Sequence, residues 1–241
     1  MARTRMTRQE LKTKDEITSK LQAFTEIVYE RRKEILISLG AFLVLAAGVL
    51  GWNMFSARRN AAASTQLSAA IMTFNDSSIA TDKERYEKTI AEAQRTIDSY
   101  GSMPQAEIAK YYIAMSKQGL GDTAGAVQGL EAVISGRADA ETKDIARFAL
   151  AGIHRRGGEE QKAIEVLKQL RDSGGYSKSA VTFELGRAHE SAGQRDEAKK
   201  YYDQVVLEFS ESPFRDDAQA ALKRLGFPIP APAASPAPAN P

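Results

Sequence analysis

One stretch constrains this chain more than any other. Residues 35–57 (ILISLGAFLVLAAGVLGWNMFSA) hold no charged side chain. A helix of about 20 apolar residues is long enough to cross the hydrocarbon core of a bilayer. Arg31, Arg32 and Lys33 precede the run, and Arg58 and Arg59 follow it. Basic residues at both ends argue against the helix of a soluble core. A cleavable signal peptide is the other alternative, but its apolar region is only about 7–15 residues long and begins close to the start of the chain. Here a 34-residue leader comes first, so the run reads as a retained span. Trp52 near its far end suits the interfacial belt, where an amphipathic ring prefers to sit.

The span also explains the charge. The net charge of +2 is unevenly spread. The leader, residues 1–34, has nine basic and six acidic side chains, whereas the chain from Asn60 onward is acidic overall. The basic excess therefore flanks the membrane, where anionic headgroups attract it, and gives no reason to expect nucleic acid as a partner. Lys and Arg near a span favour the cytoplasmic side, so the expected orientation is N-terminus inside, with the large C-terminal part outside the cytoplasm. Within the leader, Ile17, Leu21, Phe24 and Val28 fall at helical spacing and suggest a short amphipathic helix. Ala47 and Gly51 form a small-xxx-small pair in the span, a cue for weak self-association.

Beyond the span the chain repeats. Segments starting at Glu107, Asp144 and Ser179 align, with a glycine at one turn position (Gly121, Gly158, Gly193). An alanine follows five residues later (Ala126, Ala163, Ala198), and a larger side chain four beyond it (Leu130, Leu167, Tyr202). The offsets are 37 and then 35 residues. Each unit reads as two antiparallel helices joined by a tight turn. Glycine tolerates the left-handed backbone that ends the first helix. Alanine lets the helices approach closely, and the larger residue fills the groove beside it. One pair cannot bury its apolar face alone, so pairs stack. This pattern resembles the tetratricopeptide repeat, most closely in the third unit, with Leu185-Gly186, Ala198, Tyr202 and Pro213.

The expected architecture is all-α. A cytoplasmic leader (1–34) and a span (35–57) precede a tetratricopeptide-like solenoid (60–226). The solenoid units lie near 107–140, 144–177 and 179–212, with a capping helix at 213–225 and a weaker unit upstream whose second helix ends near Tyr100. Residues 227–241 hold six of the eight prolines and read as an extended Pro/Ala-rich tail.

Chemistry is harder to find. No phosphate loop, dinucleotide fingerprint, zinc signature or nucleophile elbow is present, and cysteine is absent. The expectation is a protein that is not an enzyme and needs no cofactor or metal. His154 and His189 occupy equivalent positions in adjacent units. A metal pair or pH switch is one reading, and the repeat's own packing position is the favoured one. The acid pairs Glu159-Glu160 and Asp216-Asp217 suit helix starts.

The binding signal lies on the first helices, which line the concave side of a curved stack. Tyr111, Phe148 and Phe183 share one position in the repeat, and Met115, Gln118, Arg155, Arg156, Arg187 and Glu190 lie further along the same helices. Aromatic and methionine side chains grip extended apolar segments, and arginine binds carbonyls and carboxylates. These nine residues are the candidate protein-binding groove. The alternative is that the three aromatics are packing within the repeats.

Across most of its length the chain resembles the ancillary subunit family of the bacterial Sec translocon, single-span proteins with a tetratricopeptide-like periplasmic domain. The resemblance rests on the amphipathic leader, Arg31-Arg32-Lys33, Gly51-Trp52, Arg58-Arg59 and the repeat glycines. It implies an inner-membrane protein, with its repeats in the periplasm beside the translocon. The implied partners are translocon subunits, exported polypeptides or periplasmic chaperones, with lipid around the span. Ser212-Pro213-Phe214 through Leu225-Gly226 also resembles repeats of envelope-assembly proteins such as the periplasmic cell-division coordinator. A scaffold for cell division or outer-membrane assembly is therefore the alternative.

Overall fold

The computed structural model describes residues 25–26 and 29–230, and every regular element among them is helical. Most of the leader and the tail beyond residue 230 lie outside the described residues. The chain divides into two compact units, Met1–Arg59 and Asn60–Pro241.

In the first unit the dominant feature is helix α1, Arg32–Asn75, which continues into the second. Its early part is apolar on all sides. Leu36, Phe42, Leu45 and Trp52 are each at least 64% exposed, and the segment is long and apolar enough to cross a membrane.

The second unit contains the end of α1 and eight further helices: α2 Asp82–Tyr100, α3 Pro104–Gly119, α4 Thr123–Ser135, α5 Ala140–Arg156, α6 Glu160–Ser173, α7 Lys178–Ser191, α8 Arg195–Glu208 and α9 Arg215–Arg224. Consecutive helices pack on one another from α2 to α9. Local sequence sets their starts. Thr81, Asp122, Asp139 and Ser177 cap α2, α4, α5 and α7, each accepting a bond from a backbone amide three residues on. Pro104 opens α3, where its missing N–H costs nothing.

The turns within the pairs share one geometry. Gly121, Gly158 and Gly193 take φ of 86°, 75° and 71°. In each turn the residue after the glycine donates its N–H five residues back: Asp122 to Lys117, Glu159 to His154, Gln194 to His189. The glycine itself donates three residues back. These are Schellman closures, which satisfy the last carbonyls of one helix while reversing the chain. Gly226 closes α9 in the same way, with Phe227 donating to Leu222.

The core follows the repeat. Ala126, Ala163 and Ala198 are fully buried, as are Leu130, Leu167 and Tyr202 one turn later, to within 1%. Three apolar clusters result, centred on Leu130–Leu150, Leu167–Leu185 and Tyr202–Leu222. A fourth joins Leu67 and Ala70 near the end of α1 to Ala93 of α2 and Ala109 of α3. This cluster makes the end of α1 and α2 the upstream pair. Gly186 shows why the Leu-Gly signature matters. A Cβ there would lie 2.6 Å from the Tyr202 ring, so glycine lets that ring approach α7 this closely.

Candidate protein-binding groove

The first helices of successive pairs, α3, α5 and α7, carry all nine residues that sequence placed in a groove. Six of them converge. Tyr111 and Met115 from α3, Phe148, Arg155 and Arg156 from α5, and Arg187 from α7 line one open cavity of about 300 Å³. Ala149, Ala151, Gly152, Leu167 and Glu184 complete its wall. The remaining three do not line it. Phe183 is only 8% exposed and belongs to the last core cluster. It stacks on Phe214, with ring centres 5.3 Å apart and planes 19° apart. Phe214 caps α9, and the turn before that helix closes over the third rung. Glu190 is committed to structure: it accepts the Tyr202 hydroxyl at 2.6 Å and a two-oxygen contact from Arg224 at 2.8–2.9 Å. Gln118 is half-buried near the end of α3, off this cavity.

The two open rungs are held from behind. Tyr111 meets Tyr112 edge-on at 5.4 Å, and Tyr112 meets Phe74 at 5.3 Å. Burial pushes the Tyr111 phenol up to about 12, so it is a neutral donor throughout the physiological range. Phe148 stacks on Tyr176 of the loop before α7 at 4.7 Å. Both rings are half-buried, and both line the open cavity.

The charge of the cavity is positive. Glu184 accepts from Arg187 Nη1 at 2.8 Å and lies 3.4 Å from Arg155 Nε. One carboxylate thus serves two guanidinium groups. Arg156 is exposed and has no ion pair among the described residues. Sequence reasoning missed Glu184, although it lies three residues before Arg187 on the same helix face. It missed Gly152 too, whose lack of a side chain deepens the floor between Phe148 and Arg156.

A second cavity of about 330 Å³ lies next to the first along α3 and α5, and Tyr111 lines both. Its walls are Ile108, Tyr111, Tyr112, Ile145 and the buried Thr142, with the exposed Asp139 and Glu141 at the rim. Ile108 and Ile145 are 37 residues apart, the repeat offset, so the period alone could have pointed to them.

This stack of helical pairs matches the tetratricopeptide repeat-like domain over residues 30–226. The chain belongs to that family. No curated protein matches it in sequence. Among solved structures it is similar to the nearly identical TPR-like repeats of a Podosopora anserina protein described as a putative kinesin light chain, with a TM-score of 0.54 and 21% identity. That match covers 67% of this chain and 84% of the other. A variant of the same repeats matches at 20% identity with the same TM-score and coverage. At this identity the likeness concerns the fold. Tetratricopeptide-like domains are protein-interaction scaffolds, and that coarse role holds for this chain.

Within this tetratricopeptide-like frame the histidines are part of the turns. His154 Nδ1 lies 2.5 Å from Glu159 Oε2, and His189 Nδ1 lies 2.6 Å from Gln194 Oε1. Each ring is buried and spans its own glycine turn, and His189 also stacks on Tyr201 at 5.2 Å. No cluster of three metal-ligating side chains occurs among the described residues. The Lys162 ammonium, and then the His154 ring, hold the Glu159 carboxyl below the usual range. Asp216 and Asp217 occupy the first turn of α9, where the helix dipole favours negative charge.

Proposed function

We propose that this chain is a membrane-anchored protein-interaction module and an ancillary subunit of the bacterial Sec translocon. The span holds it in the inner membrane with its N-terminus in the cytoplasm and its repeats in the periplasm. The groove then meets exported polypeptides or periplasmic chaperones as chains emerge, and it catalyses no reaction. One observation carries the reading: an open cavity with two half-buried aromatic rings and three arginines, on a family scaffold whose general role is protein binding. The apolar α1 supports anchorage, and the excess of basic residues in the leader supports the orientation. Ala47 and Gly51 lie on the exposed surface of α1 and offer a contact for a weak homodimer or for a translocon helix.

Chemical crosslinking of the full-length protein in intact membranes tests this. Adducts containing translocon subunits or chains in transit are expected. Adducts restricted to cell-division or outer-membrane assembly proteins would move the assignment to a scaffold of those machines. The turn at Pro213 and Phe214 is the feature that resembles repeats of such proteins.

A further inference from the structure

We infer that the groove binds an extended polypeptide segment in one direction, with an acidic stretch over Arg155, Arg156 and Arg187 and an apolar stretch in the slot beside Tyr111. This inference rests on the protein-binding reading of the groove. The two cavities share the Tyr111 ring and run along the same pair of helices, α3 and α5. Their chemistry differs from end to end. Near the helix starts, the slot is walled by two isoleucines and two tyrosines, and Asp139 and Glu141 stand at its rim. Near the helix ends stand three guanidinium groups and one carboxylate, Glu184, which pairs with Arg155 and Arg187 only.

Those arginines are underused by the fold. Two of them divide one carboxylate, and Arg156 is exposed without an ion partner among the described residues. A planar guanidinium presents paired donors that match a carboxylate. Backbone carbonyls alone would leave the positive charge unanswered. The acid rim at the other end disfavours the reversed segment, because like charges placed together cost affinity. A segment with its acidic side chains several residues from an apolar pair meets both ends at once.

The chain's own terminal segments do not fit. Residues 231–241 carry no charged side chain, and residues 1–24 are basic overall. The occupant is therefore an acidic segment of another polypeptide.

Fluorescence anisotropy on the full chain in detergent tests the inference. The probes are labelled ten-residue peptides: one with an apolar pair followed by glutamates, one of the reverse order, and one with lysines replacing the glutamates. The forward acidic peptide is expected to bind at least about tenfold more tightly than either of the others. Its affinity should fall with salt. Arg156→Glu should weaken it about tenfold while leaving the circular dichroism melt unchanged, because Arg156 is exposed. Equal binding of all three peptides, with loss in Phe148→Ala, would overturn the charge assignment and leave the groove reading standing. Binding insensitive to both Phe148→Ala and Arg156→Glu would overturn the groove itself. No binding of the acidic peptide at millimolar concentration would overturn the acidic-segment assignment.

Discussion

Phe148 and Phe183 occupy the same position in adjacent repeats, yet one faces a cavity and the other is core. The difference comes from the helices that succeed each ring in the stack. After α5, Phe148 packs against the cluster around Leu167 and Leu185 and stacks on Tyr176, but no ring covers the side that lines the cavity. After α7 comes the turn at Pro213 and helix α9, and Phe214 covers the Phe183 ring directly. The end of the stack thus turns a groove rung into packing. A ladder of equivalent residues is only as long as the stack leaves uncovered, and here it is two rungs, Tyr111 and Phe148.

The largest expected effect separates these two rings. Phe183→Ala should cost about 3 kcal/mol or more in urea unfolding of the full chain, the usual penalty for emptying a buried aromatic site. Phe148→Ala should cost less, about 1–2 kcal/mol, since part of its surface already meets solvent. Equal losses would erase the distinction. Next comes a pair of glycines. Gly186→Ala should destabilise by about 2 kcal/mol, because its Cβ would meet the buried Tyr202 ring at 2.6 Å. Gly152→Ala should instead gain up to about 1 kcal/mol from helix propensity, since its Cβ meets only the end of Arg156, at 3.3 Å. If both variants are stabilised, the Tyr202 ring does not press against α7.

Glu190→Ala tests why the third rung is closed. It removes the partner of the buried Tyr202 hydroxyl and of Arg224. A loss of about 1–2 kcal/mol is expected, with earlier fraying of α9 visible as faster amide exchange there. The smallest effect is alkaline. Folding holds the Tyr111 phenol protonated up to about 12, against 10.0 for the free group. Its contribution to stability is therefore complete below pH 10 and declines as pH rises through the folded value. Tyr111→Phe should flatten the fall in stability across that window, and an unchanged slope would place Tyr111 in solvent.

Much of this arrangement was legible in the residues. The glycine turns, the alanine contacts and the helical pairs follow from the 37- and 35-residue offsets, because turn geometry and close approach are local requirements. The groove was legible in part. Periodicity puts Tyr111, Phe148 and Phe183 on one face but does not say which of them a neighbour covers. That depends on Phe214, which lies 31 residues beyond Phe183 and outside the repeat. Glu190 was misplaced for a similar reason. Its commitment to Tyr202 and Arg224 is a tertiary fact set by α8 and α9. The histidines were legible as packing residues, but their bonds across the turns to Glu159 and Gln194 needed the Schellman geometry to bring positions five apart together.

Site-specific photocrosslinking in living cells tests the central claim most directly, with a photoreactive residue placed at position 148 and, in a second strain, at position 183. The open-rung reading predicts discrete intermolecular adducts from position 148 and none from position 183. Adducts from 183 with silence at 148 would contradict it, and would mean that the covered rung, not the open one, meets the partner.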